Sequence, residues 1–202
     1  MKLKVKVTFT EEVLGTASAN PELHEEFIAA KSADKEKIKE ELSSLPTEDA
    51  IEKAITVFHR DANGNPILYD YQIKGFIKEA VGMKVEFTAM QIGKAKLSKW
   101  THKRVVDNFI FVSPRVISLE MPEGGEVGYC TRPLRASTLR GDRVALATSE
   151  TVPAGTTCVF EINTLEKAID KLIPDCLDYG ALKGIGQWRN SGKGRFEWEE
   201  IK

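Results

Sequence analysis

The residues best equipped for chemistry lie in Gly184-Ile-Gly-Gln-Trp-Arg-Asn-Ser-Gly-Lys-Gly-Arg-Phe196. Four glycines, Gly184, Gly186, Gly192 and Gly194, free the backbone to adopt positive φ and let a ligand come close to main-chain N–H groups. Between and beside them stand Gln187, Trp188, Arg189, Asn190, Ser191, Lys193 and Arg195: one stacking ring, three cations and several hydrogen-bonding side chains. This set suits a phosphate-rich single strand better than a small apolar ligand. The stretch is not a Walker loop, because no Gly-Lys-Ser/Thr follows. Nor is it a dinucleotide fingerprint, since the third glycine is missing and the loop opens a strand instead of a helix. The competing reading is a plain helix-to-strand turn with Trp188 plugging the core.

A second basic stretch, Lys94 to Arg104, carries Lys94, Lys96, Lys99, Lys103 and Arg104 around Trp100 without a single acid. It is expected to be an exposed loop. Further cations for phosphate contact are Lys74 and Lys78, on one face of a predicted helix, and Arg132 and Arg135, on a predicted strand. The formal net charge of −1 excludes a globally basic binder but permits a local basic face. Cys130, Cys158 and Cys176 are odd in number and widely spaced, and His24, His59 and His102 make no ligand spacing with them. No disulfide framework, metal or cofactor is expected, and a reducing, cytoplasmic setting is. No apolar run approaches membrane-spanning length.

Positioning these residues requires a scaffold. With 202 residues and 42% hydrophobic content the chain can form one core, so a single domain over 1–202 is expected. Leu3, Val5, Val7 and Phe9 alternate with lysines and Thr8 in a first strand over 2–10. The segment 20–57 is acidic and helix-prone and reads as an insertion. Asn63-Gly64 marks a turn. Ile73, Phe76, Ile77, Ala80 and Val81 form a helical stripe that Asp70 caps and Gly82 stops. Strands are predicted over 105–112, 115–120, 127–136, 143–148 and 156–162, the last two joined as a hairpin through Pro153-Ala154-Gly155. Asn163 and Glu166 read as caps of a helix with Leu165, Ala168, Ile169, Leu172 and Ile173 inward, ended by Pro174. Phe196 and Trp198 alternate with charges in a last strand. The order is an α+β, ferredoxin-like (RRM-like) β-α-β-β-α-β core with extra hairpin strands and an inserted helical segment. Sheets of this kind leave one face open, the face RNA-recognition modules use.

The glycine stretch resembles the C-terminal glycine-rich loop of the RAMP superfamily, the ferredoxin-like RNA-binding proteins of CRISPR systems. Glu150-Thr-Val-Pro-Ala-Gly155-Thr-Thr-Cys-Val-Phe160 is similar to the E-x-V-P-A-G-T-x-F-x-F hairpin of that family's backbone subunits, which polymerise along a guide RNA. Arg60-Asp61 through Gly75-Phe76-Ile77-Lys78 resembles the family's R-D-x-x-T-G-x-P-Y-I-P-G-S-S-L-K-G run into the first helix. The three matches keep the family's order and span about residues 60–196. Gln72-Ile73-Lys74-Gly75 replaces the stretch whose serines touch phosphate. The family's long thumb hairpin is expected at Met121 to Thr131, where the chain is short. No acid stands in Ala54 to His59, where target-cutting members carry an aspartate.

The resemblance implies a non-catalytic protein that coats single-stranded RNA, with DNA not excluded, as a homo-oligomer or a subunit of a ribonucleoprotein. Its contacts would be the cations above, Trp100 and Trp188 for stacking, and Gly184, Gly186, Gln187, Arg189, Ser191, Gly192, Lys193, Gly194 and Arg195 of the loop. Two other classes stand beside it. One is a metal-independent endoribonuclease with His59, beside Arg60, moving the proton of a 2′-hydroxyl. The other is a stand-alone, phage-borne relative that engages a CRISPR complex through protein contacts, resting on the acidic insertion.

Overall fold

The structure, a computed structural model, describes residues 1–20, 25, 35–45, 55–87, 91, 92, 95–98, 100–138 and 141–202. In chain order the strands are β1 (Lys2–Phe9), β2 (Val13–Leu14), β3 (Ala17–Ser18), β4 (Thr56–Val57), β5 (His59–Arg60), β6 (Pro66–Tyr69), β7 (Gln91–Ile92) and β8 (Ala95–Lys96). They continue with β9 (Ile110–Ser113), β10 (Val116–Ser118), β11 (Gly128–Thr138), β12 (Gly141–Val152), β13 (Thr157–Thr164) and β14 (Phe196–Glu200). The helices are α1 (Lys35–Ser43), α2 (Asp70–Phe87), α3 (His102–Phe109), the short α4 (Lys167–Asp170) and α5 (Leu172–Lys183). The fold is α+β.

The core is a four-stranded sheet in the order β14-β1-β13-β9, every neighbouring pair antiparallel. Alternation along β1 sends Leu3, Val5, Val7 and Phe9 inward, with Val5 opposite Phe160 and Phe9 opposite Phe196. Helices α2 and α5 cover that face with Ile73, Phe76, Ile77, Ala80 and Val81 and with Ile173, Cys176 and Leu177. Each large apolar side chain so buried contributes about 1.5–3 kcal/mol. α5 crosses at Gly180, whose hydrogen faces the Phe76 ring and lies where a Cβ would sit 2.7 Å from Phe196.

On the opposite face of the sheet, two of the β1 lysines are paired across strands. Lys2 bonds Glu161 at 2.9 Å and Lys6 bonds Glu199 at 3.5 Å, both across neighbouring strands. Acids of the neighbouring strands thus offset part of the positive charge on this face.

Several expectations change. The strand predicted over 105–112 is helix α3 followed by β9, with His102 and Val106 turned inward one helical turn apart. Gly82 lies within α2, where a Cβ would sit 2.9 Å from His102 Nε2, so it admits the crossing of α3 and does not stop the helix. β12 and β13 form no hairpin: β12 pairs with β11, β2 and β4, and β13 with β1 and β9. Gly155, at φ 85°, donates its N–H to Phe9 O at 2.7 Å and passes the chain from one sheet to the other. Asn163 belongs to β13, and Leu165 is 69% exposed. Pro174 sits in the first turn of α5, where its missing N–H would have no helical partner, so the helix runs on. A long hairpin follows the 121–131 region: β11 and β12 pair over eleven residue pairs, from Gly128↔Thr151 to Thr138↔Gly141.

Of the proposed insertion, α1 is described, and Thr56–Val57 is strand β4 paired with β3. Residues 21–24, 26–34 and 46–54, with His24 among them, lie outside the described residues. No helix among the described residues is long and apolar enough to cross a membrane.

Candidate nucleic-acid interface

The glycine stretch leaves α5 at Gly184, makes a 3-10 turn over Arg189–Ser191 and enters β14. Its four glycines all have positive φ, from 71° at Gly194 to 92° at Gly186. Three of them serve close packing, two within the loop and one against β2. A Cβ on Gly184 would strike Lys193 O, one on Gly194 would strike Ile185 O, and one on Gly186 would lie 2.8 Å from Leu14 O. Ile185 N donates to Gly194 O at 2.9 Å, and Gly194 N to Glu12 O at 2.9 Å, which closes the loop onto the β1–β2 connection. Only Gly192 meets nothing closer than the Arg195 guanidinium, at 3.6 Å. The main chain is therefore fixed by itself.

Trp188 is the one described residue other than glycine with positive φ, 55°. A bulky residue in the left-handed region is strained, and such strain persists only where neighbours impose it. Arg132 is one such neighbour. Although it was expected to reach phosphate, its side chain is buried, donating Nη1 to Ser149 Oγ at 2.8 Å and Nη2 to Gln187 Oε1 at 2.6 Å. Its guanidinium lies 5.7 Å from the Trp188 ring centroid, and Trp188 is 39% exposed. Arg132 and Gln187 are supports, and the tryptophan is the surface they present.

Beside this loop lies a cleft of about 260 Å³, walled by α2 residues Gly75, Phe76 and Glu79, by Leu68 and His59, and by Ile185, Gly186 and Arg189. Arg189 Nη1 donates to Glu79 Oε2 at 2.7 Å, tying loop to helix. Gly75 is exposed in the interior of α2 with open space where its Cβ would be. A helical glycine costs about 0.8–1 kcal/mol relative to alanine, and no packing neighbour accounts for this one.

Behind the cleft the matched motifs hold one another. Arg60 Nη2 bonds Glu150 Oε1 at 2.8 Å, and the other Glu150 oxygen accepts Phe58 N–H at 2.9 Å, so two motifs ninety residues apart share one buried ion pair. Burial pushes the Glu150 carboxyl above its usual range, opposed by the Phe58 N–H and Arg60. His59 is 2% exposed, with Nδ1 2.7 Å from Ser44 Oγ, which also lies 3.1 Å from Tyr69 OH. From α1, Glu41 accepts Tyr71 OH at 3.2 Å and Arg115 Nη2 at 2.5 Å. Burial, reinforced by Glu41, raises the Tyr71 hydroxyl far above a free tyrosine.

The other candidates are dispersed. Lys74 donates to Asp107 O at 3.0 Å and lies 5.0 Å from the Phe111 ring, while Lys78 bonds Asp107 Oδ1 at 2.5 Å, so both are held on the flank of α2 that meets α3. Desolvation lowers the Lys74 ammonium below its ordinary value. Lys193 bonds Glu12 at 2.5 Å. Ser191 and Arg195 are exposed on the loop, and Lys103 and Arg104 on the first turn of α3. Trp100, just before α3, is 89% exposed. Lys94 and Lys99 lie outside the described residues; Lys96 is placed in β8 and Arg135 in β11. Sequence reasoning missed Glu79, because an acid on an amphipathic helix looks unremarkable, and took Gly75 only as part of a motif. The thiols of Cys158 and Cys176 are buried and pushed up to about 12. Among the described residues no group of three or more His, Cys, Asp or Glu could hold a metal.

No family model matches the chain, and no curated protein does. Among solved structures, it aligns over 100% of its length with a chain in the cryo-EM structure of the type III-B Cmr-beta bound to cognate target RNA. The identity is 13% and the TM-score 0.56, and the chain spans 60% of the length of that subunit. A chain of a type IV-B CRISPR complex aligns at 10% identity, with 100% of this chain and 90% of that one covered and a TM-score of 0.46. At 13% identity the Cmr-beta alignment shows a shared fold.

Proposed function

We propose that this chain, folded like a subunit of an RNA-bound type III-B complex, is a non-catalytic protein that holds single-stranded RNA along the cleft between α2 and the glycine loop. In this reading it is one ferredoxin-like domain over 1–202 with an insertion at 20–57. It works as a ribonucleoprotein subunit and resembles the guide-coating backbone group, several copies lying along one strand. The strained, half-exposed Trp188 beside the cleft, braced from behind by a buried arginine, is the observation that carries the proposal. Such a ring offers a stacking platform at small conformational cost, and each stacked base contributes about 1–3 kcal/mol. Arg195, Lys103 and Arg104 supply charge for the backbone, and Trp100 a second ring.

His59 also lines the cleft, which keeps the endoribonuclease reading in second place. Its ring is held by Ser44 and nearly enclosed, a poor posture for exchanging protons with a 2′-hydroxyl.

Filter binding of a labelled RNA against salt is the test. Each phosphate neutralised contributes about −0.7 to the slope of log K on log salt for single strands. A slope of several phosphates is expected, with intact RNA recovered in EDTA. A flat response rejects the coating role, and cleavage lost in His59→Ala transfers the assignment to the enzyme. A DNA strand of the same sequence, run in parallel, decides between the two polymers.

A further inference from the structure

We infer that the cleft reads a single unstacked base, and that Glu79 with Arg189 makes it selective for guanine. The inference rests on the nucleic-acid reading above and names what that site takes.

At about 260 Å³ the cleft falls just below the roughly 300–1,000 Å³ of pockets for drug-sized ligands, which fits one nucleobase with part of its sugar. Leu68, Phe76 and Ile185 give it apolar walls suited to a flat ring. Gly75 opens one side, where a methyl group would project into otherwise empty space.

The charged pair at the cleft argues against a phosphate there. Arg189 already has a carboxylate 2.7 Å away, so an incoming phosphate would meet Glu79 as a like charge. A base edge faces no such repulsion. An ionised glutamate only accepts hydrogen bonds and an arginine only donates them. Their mutual bond uses Glu79 Oε2 and Arg189 Nη1; among the described residues no bond engages Glu79 Oε1 or Arg189 Nη2 and Nε. What remains is the unengaged Oε1 with the second lone pair of Oε2, beside the Nη2 and Nε donors.

Guanine alone matches that order, with N2–H and N1–H as adjacent donors followed by the O6 acceptor. Adenine offers one donor and one acceptor, cytosine one donor and two acceptors, and uracil a donor flanked by acceptors. Each of the three would turn a lone pair toward the carboxylate or leave an oxygen unused. Gln72 is not a competing reader, because its carboxamide is consumed: Oε1 accepts Tyr69 N–H at 2.7 Å and Nε2 donates to Thr16 Oγ1 at 2.6 Å.

The test compares a twelve-uridine RNA with the same RNA carrying one central guanosine, by fluorescence anisotropy at fixed salt. The guanosine strand is expected to bind about tenfold or more tightly. Free GMP is expected to compete where AMP, CMP and UMP do not. Glu79→Gln, which replaces an acceptor by a donor, should bind the two strands equally, and Arg189→Lys, which keeps the charge but loses the fork, should narrow the gap. Both side chains are partly exposed, and melting curves verify folding; competition by the four mononucleotides on the unaltered protein decides the matter if a variant does not fold. Equal binding of the two strands by the unaltered protein overturns the guanine pocket and leaves the RNA-binding role intact. If neither strand binds, that role fails, and GMP then decides the pocket alone: saturable, selective GMP binding upholds it and its absence overturns it.

Discussion

Replacing Gly75 by alanine sets the folding of α2 against the use of the cleft. Gly75 lies in the interior of an eighteen-residue helix, its surroundings empty within 4 Å of where a Cβ would be. The substitution therefore removes backbone entropy from the unfolded chain without creating a clash, a gain of about 0.5–1 kcal/mol. For a chain of this size, 1 kcal/mol moves Tm by about 2–4 °C. The same exchange at Gly180, in α5, drives a methyl group into Phe76 and to 2.7 Å from Phe196. Overpacking of that kind costs about 1–3 kcal/mol. Thermal denaturation of the free protein should thus show Gly75→Ala melting higher and Gly180→Ala melting lower than the parent. In anisotropy titrations Gly75→Ala should bind RNA more weakly despite its greater stability. A lower Tm for Gly75→Ala would refute the claim that its environment is empty. Unchanged RNA affinity would remove the glycine from the ligand's path.

Three further outcomes are expected. Glu150→Ala leaves Arg60 and the Phe58 N–H without their shared partner in the interior and should destabilise by about 3–5 kcal/mol, read as a lower urea midpoint at constant slope. Asp61, whose carboxylate accepts Asn65 N–H and Asn63 N–H at 2.8 Å each, is held below its ordinary value of 3.8, chiefly by the Asn65 backbone bond. A depressed folded pKa adds stability above 3.8 that is lost as pH falls through the folded value. Asp61→Ala should therefore lower the urea midpoint at pH 7 and differ progressively less from the parent as the solution is taken below that point. Trp188→Ala should weaken RNA binding by about 1–3 kcal/mol, and titrating RNA into the parent protein should quench tryptophan fluorescence that the variant no longer contributes.

How far the molecule could be read from its residues depends on what decided each element. β1 and the stripe of α2 were legible because period-two and period-3.6 burial are written in Leu3 to Phe9 and in Ile73 to Val81. Helix α3 was not, since the β-branched Val105 and Val106 run on into the strand residues Ile110 and Val112; burial of His102 against Gly82 overrides that preference in the helix. The Pro153-Gly155 turn was recognised, but its partner was not: which sheet receives a strand is set by contacts far along the chain, here Phe9. At the candidate site, composition pointed to the glycine loop, Trp188 and Arg189. That Arg132 would lie beneath Trp188 and Glu79 against Arg189 follows from the tertiary arrangement of elements far apart in the chain, 110 residues in the second case, and no spacing in the chain encodes it.

A substitution scan across 184–196 would find binding lost at Gly184, Gly186 and Gly194 whatever the protein holds, because carbonyl oxygens of its own chain occupy the room that a side chain would need. Loss there measures whether the loop can close. A relative that had abandoned polynucleotides altogether would keep those three glycines, while Gly75, Trp188 and the Glu79–Arg189 pair would be free to drift. The informative positions for tracing loss of function are therefore the inconspicuous ones on the helix, and not the signature that first draws the eye.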